Sequence, residues 1–315
     1  MTAQDTPTAK IIETFRRDGI VALEGFLTPE QVARIRGEGE AIRDRFANVY
    51  GATSPVKTRG GWRMDIPPVN LVRRGGAPLA RETGRVLEHP VIKEICDVLL
   101  GRSWNVTALV YDYREPSDEP VPRNGFEKGY PPAYFWHVDN GKPGLKDPGR
   151  FTLRFQTYLN DTTLENGAFG YAKGTHRLVI HVRERMKAKP PENPEDAVID
   201  TYDALIAGAE WLRASPEGLA PEYGEILDRF KSDVPAGDYS DRRTAMEYPA
   251  GTVLIFHDNG MHRGNFVNAG HRYVYRYLCG PVRAAEQFRS FAGIKNLAAR
   301  QFFRRTMSEP FVNLM

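Results

Sequence analysis

Cysteine is nearly absent: the 315 residues hold two, Cys96 and Cys279, with no C-x-x-C pairing. That excludes a small disulfide-stapled fold and a thiolate zinc site, and a reducing cytoplasm is the simplest home. Long apolar runs are missing too. The opening MTAQDTPTAKIIETFRRDG lacks the apolar stretch of a signal peptide, and nothing later approaches the ~20 apolar residues of a membrane span. The expectation is a soluble, unprocessed chain with no membrane partner. Nor is there a surplus of one charge. The 43 Lys and Arg stand against 40 Asp and Glu, a net charge of +3, without the concentrated basic face that a nucleic-acid binder needs.

What the chain does have is 41% hydrophobic content, enough for a sizeable core. IIETFRRDGIVALEGFLTPEQVARIRGEGEAIRDRFANVY reads as a helix, a short strand (Ile20 to Leu23) and a second helix. Thr28 can cap that helix, Pro29 suits its first turn, and Gln31 completes a capping box. Val32, Ile35, Ile42 and Phe46 form its apolar stripe. Residues 51 to 85, rich in Gly, Pro and Arg, read as a long loop with one extended piece. A helix follows at Pro90 to Leu100, then a strand over WNVTALVYDYRE.

Strands then dominate: around Tyr134 to Val138, Thr152 to Leu159, Gly167 to Ala172, Gly251 to His257 and Arg272 to Leu278. Short strands parted by Gly, Asn and Pro turns predict an antiparallel sandwich or barrel. Between Arg183 and Glu247 the strand signal stops, and pieces such as YDALIAGAEWLRA and YGEILDRF read as helices. That stretch is too short and polar to hold much core alone, so the expectation is one domain with an insertion at 183–247.

FWHVDNG, residues 135 to 141, carries the chemistry. Two residues at i and i+2 on a strand share a face, so His137 and Asp139 can grip one ion. The third ligand expected is His262, after the apolar strand in GTVLIFHDNGMHRGNF. Imidazoles with a carboxylate suit divalent iron, manganese or zinc, and two histidines plus one carboxylate leave positions open for a chelating 2-oxo acid and O2. A 2-oxo diacid needs a cation for its far carboxylate; Arg272, ten residues after His262, can grip one bidentately. H-x-D alone is a weak motif, and buried histidines often only donate to a carbonyl. The order of H-x-D, distal His and Arg on successive strands is what raises the metal reading.

At these residues the chain resembles the phytanoyl-CoA dioxygenase (PhyH-like) family of Fe(II)/2-oxoglutarate-dependent oxygenases. FRRDGIVALEGFLTPEQV is similar to the family's N-terminal signature, FWHVDNG to its first metal strand, and ENGAFGYAKGTHR to the stretch usually ending Pro-Gly-Ser-His. YPAGTVLIFHDNGMHRGNFVNAGHRYVYRYLCG is similar to its distal-His and Arg segment. The resemblance implies a mainly β fold: a double-stranded β-helix (jelly-roll or cupin-like) core over residues 1–315, with N-terminal helices in 1–50, the 183–247 insertion as a lid and a tail at 282–315. It implies Fe(II) on His137, Asp139 and His262, 2-oxoglutarate anchored by Arg272, and O2 as second co-substrate. Oxidation of a small-molecule C–H bond would release succinate and CO2. Because related halogenases lack the carboxylate that Asp139 supplies, hydroxylation, desaturation, ring closure or epoxidation is expected instead.

Lys173 stands where the family usually has proline, and the insertion is longer than the family core needs. Thr175 is a candidate contact for the co-substrate. His257 is expected to be a non-ligating strand-end residue, His176 a structural one, and His89, His181 and His271 structural or solvent-facing. Gly167 and Gly174 suit tight turns. Trp62, Tyr111, Tyr113, Tyr130, Tyr134, Phe135 and Trp136 supply aromatic surface, although strand aromatics are more often core. Arg59, Arg63, Arg73 and Arg74 suit an anionic substrate or a solvated loop. The alternatives are an acyl-CoA 2-hydroxylase, a silent β-helix binder, and a zinc or manganese hydrolase or isomerase. Oligomeric state is left open.

Overall fold

The computed structural model describes residues 7–49, 56–58, 61–66, 81–101, 104–116, 135–139, 147, 149–191, 198–234 and 243–281. The chain opens with α1 (Thr8–Asp18), β1 (Ile20–Leu23) and α2 (Pro29–Val49). Then come β2 (Val56–Thr58), β3 (Gly61–Ile66), α3 (Arg81–Leu87), α4 (Pro90–Leu100) and β4 (Trp104–Arg114). The second half holds β5 (Leu153–Tyr158), β6 (Phe169–Tyr171), α5 (Thr175–Ala188), α6 (Tyr202–Ala214) and α7 (Pro221–Asp233). It closes with β7 (Ala245–Met246), β8 (Val253–His257), β9 (His262–Gly264) and β10 (Arg272–Pro281).

The capping box forms as expected: the Thr28 amide donates to Gln31 Oε1 at 2.8 Å and the Gln31 amide to Thr28 Oγ1 at 3.3 Å. Two orphan donors are thereby satisfied at the start of α2. Val32, Ile35 and Ile42 are buried; the Phe46 side chain lies outside the described residues.

A seven-stranded sheet runs β1-β8-β5-β10-β4-β3-β2, and a three-stranded sheet runs β7-β6-β9. Every pairing in them is antiparallel. Period-two alternation splits the large sheet into two faces. In RYVYRYLC, residues 272–279, Tyr273, Tyr275, Tyr277 and Cys279 enter a core with Ile11 and Phe15 of α1, Val32 and Ile35 of α2, Leu87 of α3 and Ile92 of α4. The alternate Val274 packs on the other face with Tyr158, Leu254, Phe256 and, from the small sheet, Phe169 and Tyr171. Full burial of one such side chain contributes about 1.5–3 kcal/mol, so the alternation fixes which face each strand shows the helices. Two antiparallel sheets facing each other, with helices behind the larger one, form the double-stranded β-helix expected.

Three elements differ from the sequence expectations. Within the 51–85 stretch expected as a loop with one extended piece, β2 and β3 pair antiparallel and extend the sheet from Gly61↔Arg114 to Ile66↔Leu109, and α3 begins at Arg81. The free edge of β4 supplies the ladder that local Gly- and Arg-rich composition does not advertise. Residues 135–139 are not a regular strand: His137 makes isolated bridges to Thr201 and His262. Helix α5 runs from Thr175 to Ala188, across the expected start of the insertion.

The helices of the 183–247 stretch share a hydrophobic cluster with α5: Leu205 and Leu212 of α6 and Leu227 and Phe230 of α7 meet Leu178, Val179 and Val182. Trp136 and Met261 also belong to that cluster, which ties it to the metal segment. The expected tail at 282–315 lies outside the described residues. Among the described residues no helix is long and apolar enough to cross a membrane.

Candidate metal centre

His137 and His262 face each other through the backbone before any metal is considered. Each amide donates to the other's carbonyl at 3.0 Å, and the rings stand 4.4 Å apart, centroid to centroid. Thr201 holds the other side of His137: the Val138 amide donates to Asp200 O at 3.1 Å and the Tyr202 amide to Trp136 O at 3.2 Å. The Asp139 amide donates to Asp258 O at 3.1 Å, which turns the chain so that its carboxylate meets both rings. One ligand atom from each of His137, Asp139 and His262 lies within 4.8 Å of the other two.

Tautomers follow from the partners. His137 Nδ1 lies 2.6 Å from Phe135 O, and His262 Nδ1 lies 2.8 Å from Gly260 O. A carbonyl only accepts, so both Nδ1 atoms carry the proton and both Nε2 atoms present lone pairs. His262 Nε2 then faces Asp139 Oδ2 at 3.2 Å, and His137 Nε2 faces Asp139 Oδ1 at 3.9 Å. Lone pairs converging on a carboxylate repel unless a cation sits among them, so this donor set fits a divalent metal ion.

Electrostatics agree with that protonation state. Burial, reinforced by neighbouring His262, pushes the His137 pKa down to about 4, so the ring is neutral at physiological pH. For Asp139 burial opposes ionisation, but the Arg154 guanidinium outweighs it and holds the carboxyl well below its ordinary range. Arg154 Nη2 stands 3.2 Å from Asp139 Oδ2. Both ligand types are therefore ready without losing a proton.

Arg272 lies on β10 and is buried, its guanidinium aimed by backbone oxygens. Nη1 donates to Gly167 O and, at 3.4 Å, to Asn265 O. Gly167 has φ +89°, and a Cβ there would meet Asn265 O at 2.9 Å, so the turn that offers this carbonyl requires glycine. Arg272 lines a cavity of about 210 Å³ together with His137, Asp139 and His262. Phe169, Phe256, Val110 and Leu278 give that cavity apolar walls.

Thr175 is placed elsewhere. Its hydroxyl donates to Ala172 O at 2.6 Å and accepts from the Met261 amide at 2.8 Å, fully buried and outside the cavity lining. It fastens the turn before β9 instead of reaching a co-substrate. His257 is buried between Phe15 and Phe151, and its Nδ1 accepts from the Asn259 amide at 3.1 Å. His176 Nε2 pairs with Arg16 O at 3.2 Å. His89 Nδ1 accepts from the Val91 amide as the cap of α4, and His181 stacks on Tyr223.

Of the aromatic candidates, Tyr111, Tyr113 and Trp62 pack toward the helices, and Phe135 and Trp136 are buried. Tyr130, Tyr134, Arg59, Arg73 and Arg74 lie outside the described residues. Sequence reasoning missed Asp112, Arg114, Arg154 and Arg276, all of which line the cavity. The available signal was period-two spacing: Arg276 is four residues beyond Arg272, and Arg114 is Arg272's partner across the strands.

The family of phytanoyl-CoA dioxygenases (PhyH) matches residues 15–269, most of the chain. An Fe(II)/2-oxoglutarate-dependent dioxygenase, nvfF of Aspergillus novofumigatus, is 30% identical over 175 residues, so the chain spans about half of that relative, 53% of each. An ectoine dioxygenase of Stutzerimonas stutzeri is 23% identical over 283 residues, covering 88% of this chain and 79% of the relative. Among solved structures, EctD from S. alaskensis with 2-oxoglutarate and 5-hydroxyectoine has a TM-score of 0.51 at 17% identity, over 87% of this chain and 76% of that one. That likeness shows the shared double-stranded β-helix. With the matched segment running from α1 through both histidines and Asp139, the chain belongs to the phytanoyl-CoA dioxygenase (PhyH) family.

Proposed function

We propose that this protein is an Fe(II)/2-oxoglutarate-dependent dioxygenase that oxidises an unactivated C–H bond of a small molecule, with release of succinate and CO2. The observation that carries the reading is one cavity lined by His137, Asp139 and His262 and also by Arg272, whose guanidinium is buried and pre-aimed. A hydrolase or isomerase with the same three ligands has no use for that arginine. The named activities of nvfF and of the ectoine dioxygenase support the reaction class.

His137 and His262 would each give Nε2 to the metal and Asp139 one oxygen, while Arg154 holds the carboxylate's other side. Iron held there would supply, with O2 and 2-oxoglutarate, the oxidising power for a C–H bond. The chain's own part is positional. Arg272 takes the distal carboxylate of 2-oxoglutarate, with Gly167 O and Asn265 O fixing its plane. Phe169, Phe256, Val110 and Leu278 keep water from the reacting atoms. Because Asp139 keeps its carboxylate at the metal, oxygen insertion or a related oxidation is favoured over halogenation. We propose further that helices α6 and α7 of the 183–247 stretch cover the substrate, a reading supported by the bridge from Thr201 to His137.

The test is an anaerobic titration of the apo-protein with Fe(II) and 2-oxoglutarate, following the weak visible charge-transfer band. The expected result is a band in the wild type, its loss in His262→Ala, and at least a tenfold higher 2-oxoglutarate requirement in Arg272→Ala. No band in the wild type overturns the reading.

A further inference from the structure

One arginine outside the cavity joins the two halves of the metal centre. Arg183 sits on α5 among Leu178, Val179, Val182 and Met186, and is only 1% exposed. An arginine is almost never buried so completely unless it is paired. Here Nη1 donates to Asn259 Oδ1 at 2.8 Å and Nη2 donates to Ile199 O at 2.7 Å.

Each arm ends beside a segment that presents metal ligands. Asn259 lies between Asp258, whose carbonyl accepts from the Asp139 amide at 3.1 Å, and Gly260, whose carbonyl stands 2.8 Å from His262 Nδ1. Asn259 is itself fully buried, and its Nδ2 donates to Arg150 O at 2.8 Å. On the other arm, Ile199 precedes Asp200, whose carbonyl accepts from the Val138 amide at 3.1 Å, and Thr201, which bridges His137. Asp139 and His262 therefore depend on one arm and His137 on the other.

Charge follows the same division. Burial pulls the Arg183 pKa down to about 10, and Asp258 and Asp200, one next to each anchor, oppose that pull. A guanidinium is a rigid planar fork, so its two Nη atoms hold Asn259 Oδ1 and Ile199 O at a fixed separation. The backbone bridge between His137 and His262 aligns the two ligand segments, and the fork holds the chain behind each of them. Arg183 lies outside the cavity lining, so it acts through those two segments rather than on the metal or the co-substrate.

We infer that Arg183 is a positioning residue of the metal centre: its fork locks the 258–260 turn against the 199–201 segment and so sets how the Asp139 carboxylate and the two imidazoles converge. The inference rests on the metal centre of the dioxygenase reading and adds the residue that organises it from behind. Loss of a group that orients a metal ligand typically weakens the metal roughly 10–100-fold, and an anchor one step further out belongs at the lower end of that range.

Mn(II) titration of the metal-free full chain, with the free ion counted by its EPR signal, tests this without turnover. Arg183→Met removes the charge and the fork, and Arg183→Lys keeps the charge but loses the fork. Both are expected to weaken Mn(II) at least fivefold and to displace the maximum of the anaerobic Fe(II)–2-oxoglutarate band. Leu227→Ala, which opens the same hydrophobic cluster without touching either anchor, is the destabilised reference and is expected to hold Mn(II) within threefold of the wild type. Asn259→Ala removes one arm only and is expected to weaken Mn(II) at least fivefold, which keeps the clamp testable if the arginine variants do not fold. A smaller loss in the folded variants, an unmoved band, wild-type affinity in Arg183→Lys, or an equal loss in Leu227→Ala overturns the inference and leaves the metal centre intact. Failure of the wild type to bind Mn(II) removes both.

Discussion

His137 and His262 each give Nδ1 to a backbone carbonyl, Phe135 O and Gly260 O, two residues earlier in the chain. That repeated local contact makes both rings metal-ready from within their own segments, and the shared bridge sets their separation. Thr175 illustrates the opposite case, a residue whose chemistry is spent on the backbone. Replacing it by Val keeps the shape and leaves the Met261 amide a buried orphan donor, which costs about 1–3 kcal/mol. Thr175→Val is therefore expected to lower the urea midpoint without changing 2-oxoglutarate affinity. A raised 2-oxoglutarate Kd at unchanged stability would restore the co-substrate role.

Helix α2 shows how an element's sequence can mislead about its tolerance. By intrinsic propensity, alanine in place of Gly39 would favour the helix by roughly 1 kcal/mol. In the fold a Cβ at Gly39 would stand 2.4 Å from Tyr273 Oη and 2.7 Å from the Tyr111 ring. Both tyrosines are buried on the helix-facing side of the sheet, so neither can swing away cheaply. Overpacking of this kind costs about 1–3 kcal/mol. Gly39→Ala is expected to lower the thermal midpoint, and a rise would show that α2 shifts freely over the sheet. The capping box of the same helix, in contrast, was legible residue by residue because Thr28 and Gln31 need only each other.

For the whole molecule, buried histidines set the response to acid. Burial lowers the His176 pKa from 6.5 to about 4 and that of His257 well below 6.5. In the unfolded chain both titrate near their ordinary value, so between roughly pH 6.5 and 4 the unfolded state binds more protons and is favoured. Asp258 acts the other way, since burial raises its pKa from 3.8 to about 6 and the folded state takes up its proton first. The net expectation is stability that is full above pH 6.5 and falls toward pH 4 by up to about 2.8 kcal/mol per pH unit, the share of three buried histidines, His137 included while the metal is absent, less one carboxyl. Urea unfolding of the metal-free protein across that range measures it. A His176→Gln variant should flatten the slope, and a slope unchanged by that substitution would place the proton uptake elsewhere.

The sequence by itself determined what depends on neighbours along the chain. The strand alternation of RYVYRYLC and the strand ahead of His262 are local patterns of period two, and a sheet needs them wherever its partners lie; the H-x-D spacing named two ligands although its segment forms isolated bridges instead of a strand. The tertiary structure decided what depends on register. Pairing of β10 with β4 brought Arg114 and Asp112 beside Arg272 and Arg276. Pairing of β3 with β4 turned an apparent loop into sheet and added Arg63. Thr201, far along the chain inside the presumed insertion, became the second neighbour of His137. Alternation says which face a side chain takes, but not which strand lies alongside or how far it has slid. The charge of the cavity is a sum over those neighbours, so it exists only once the strands have paired.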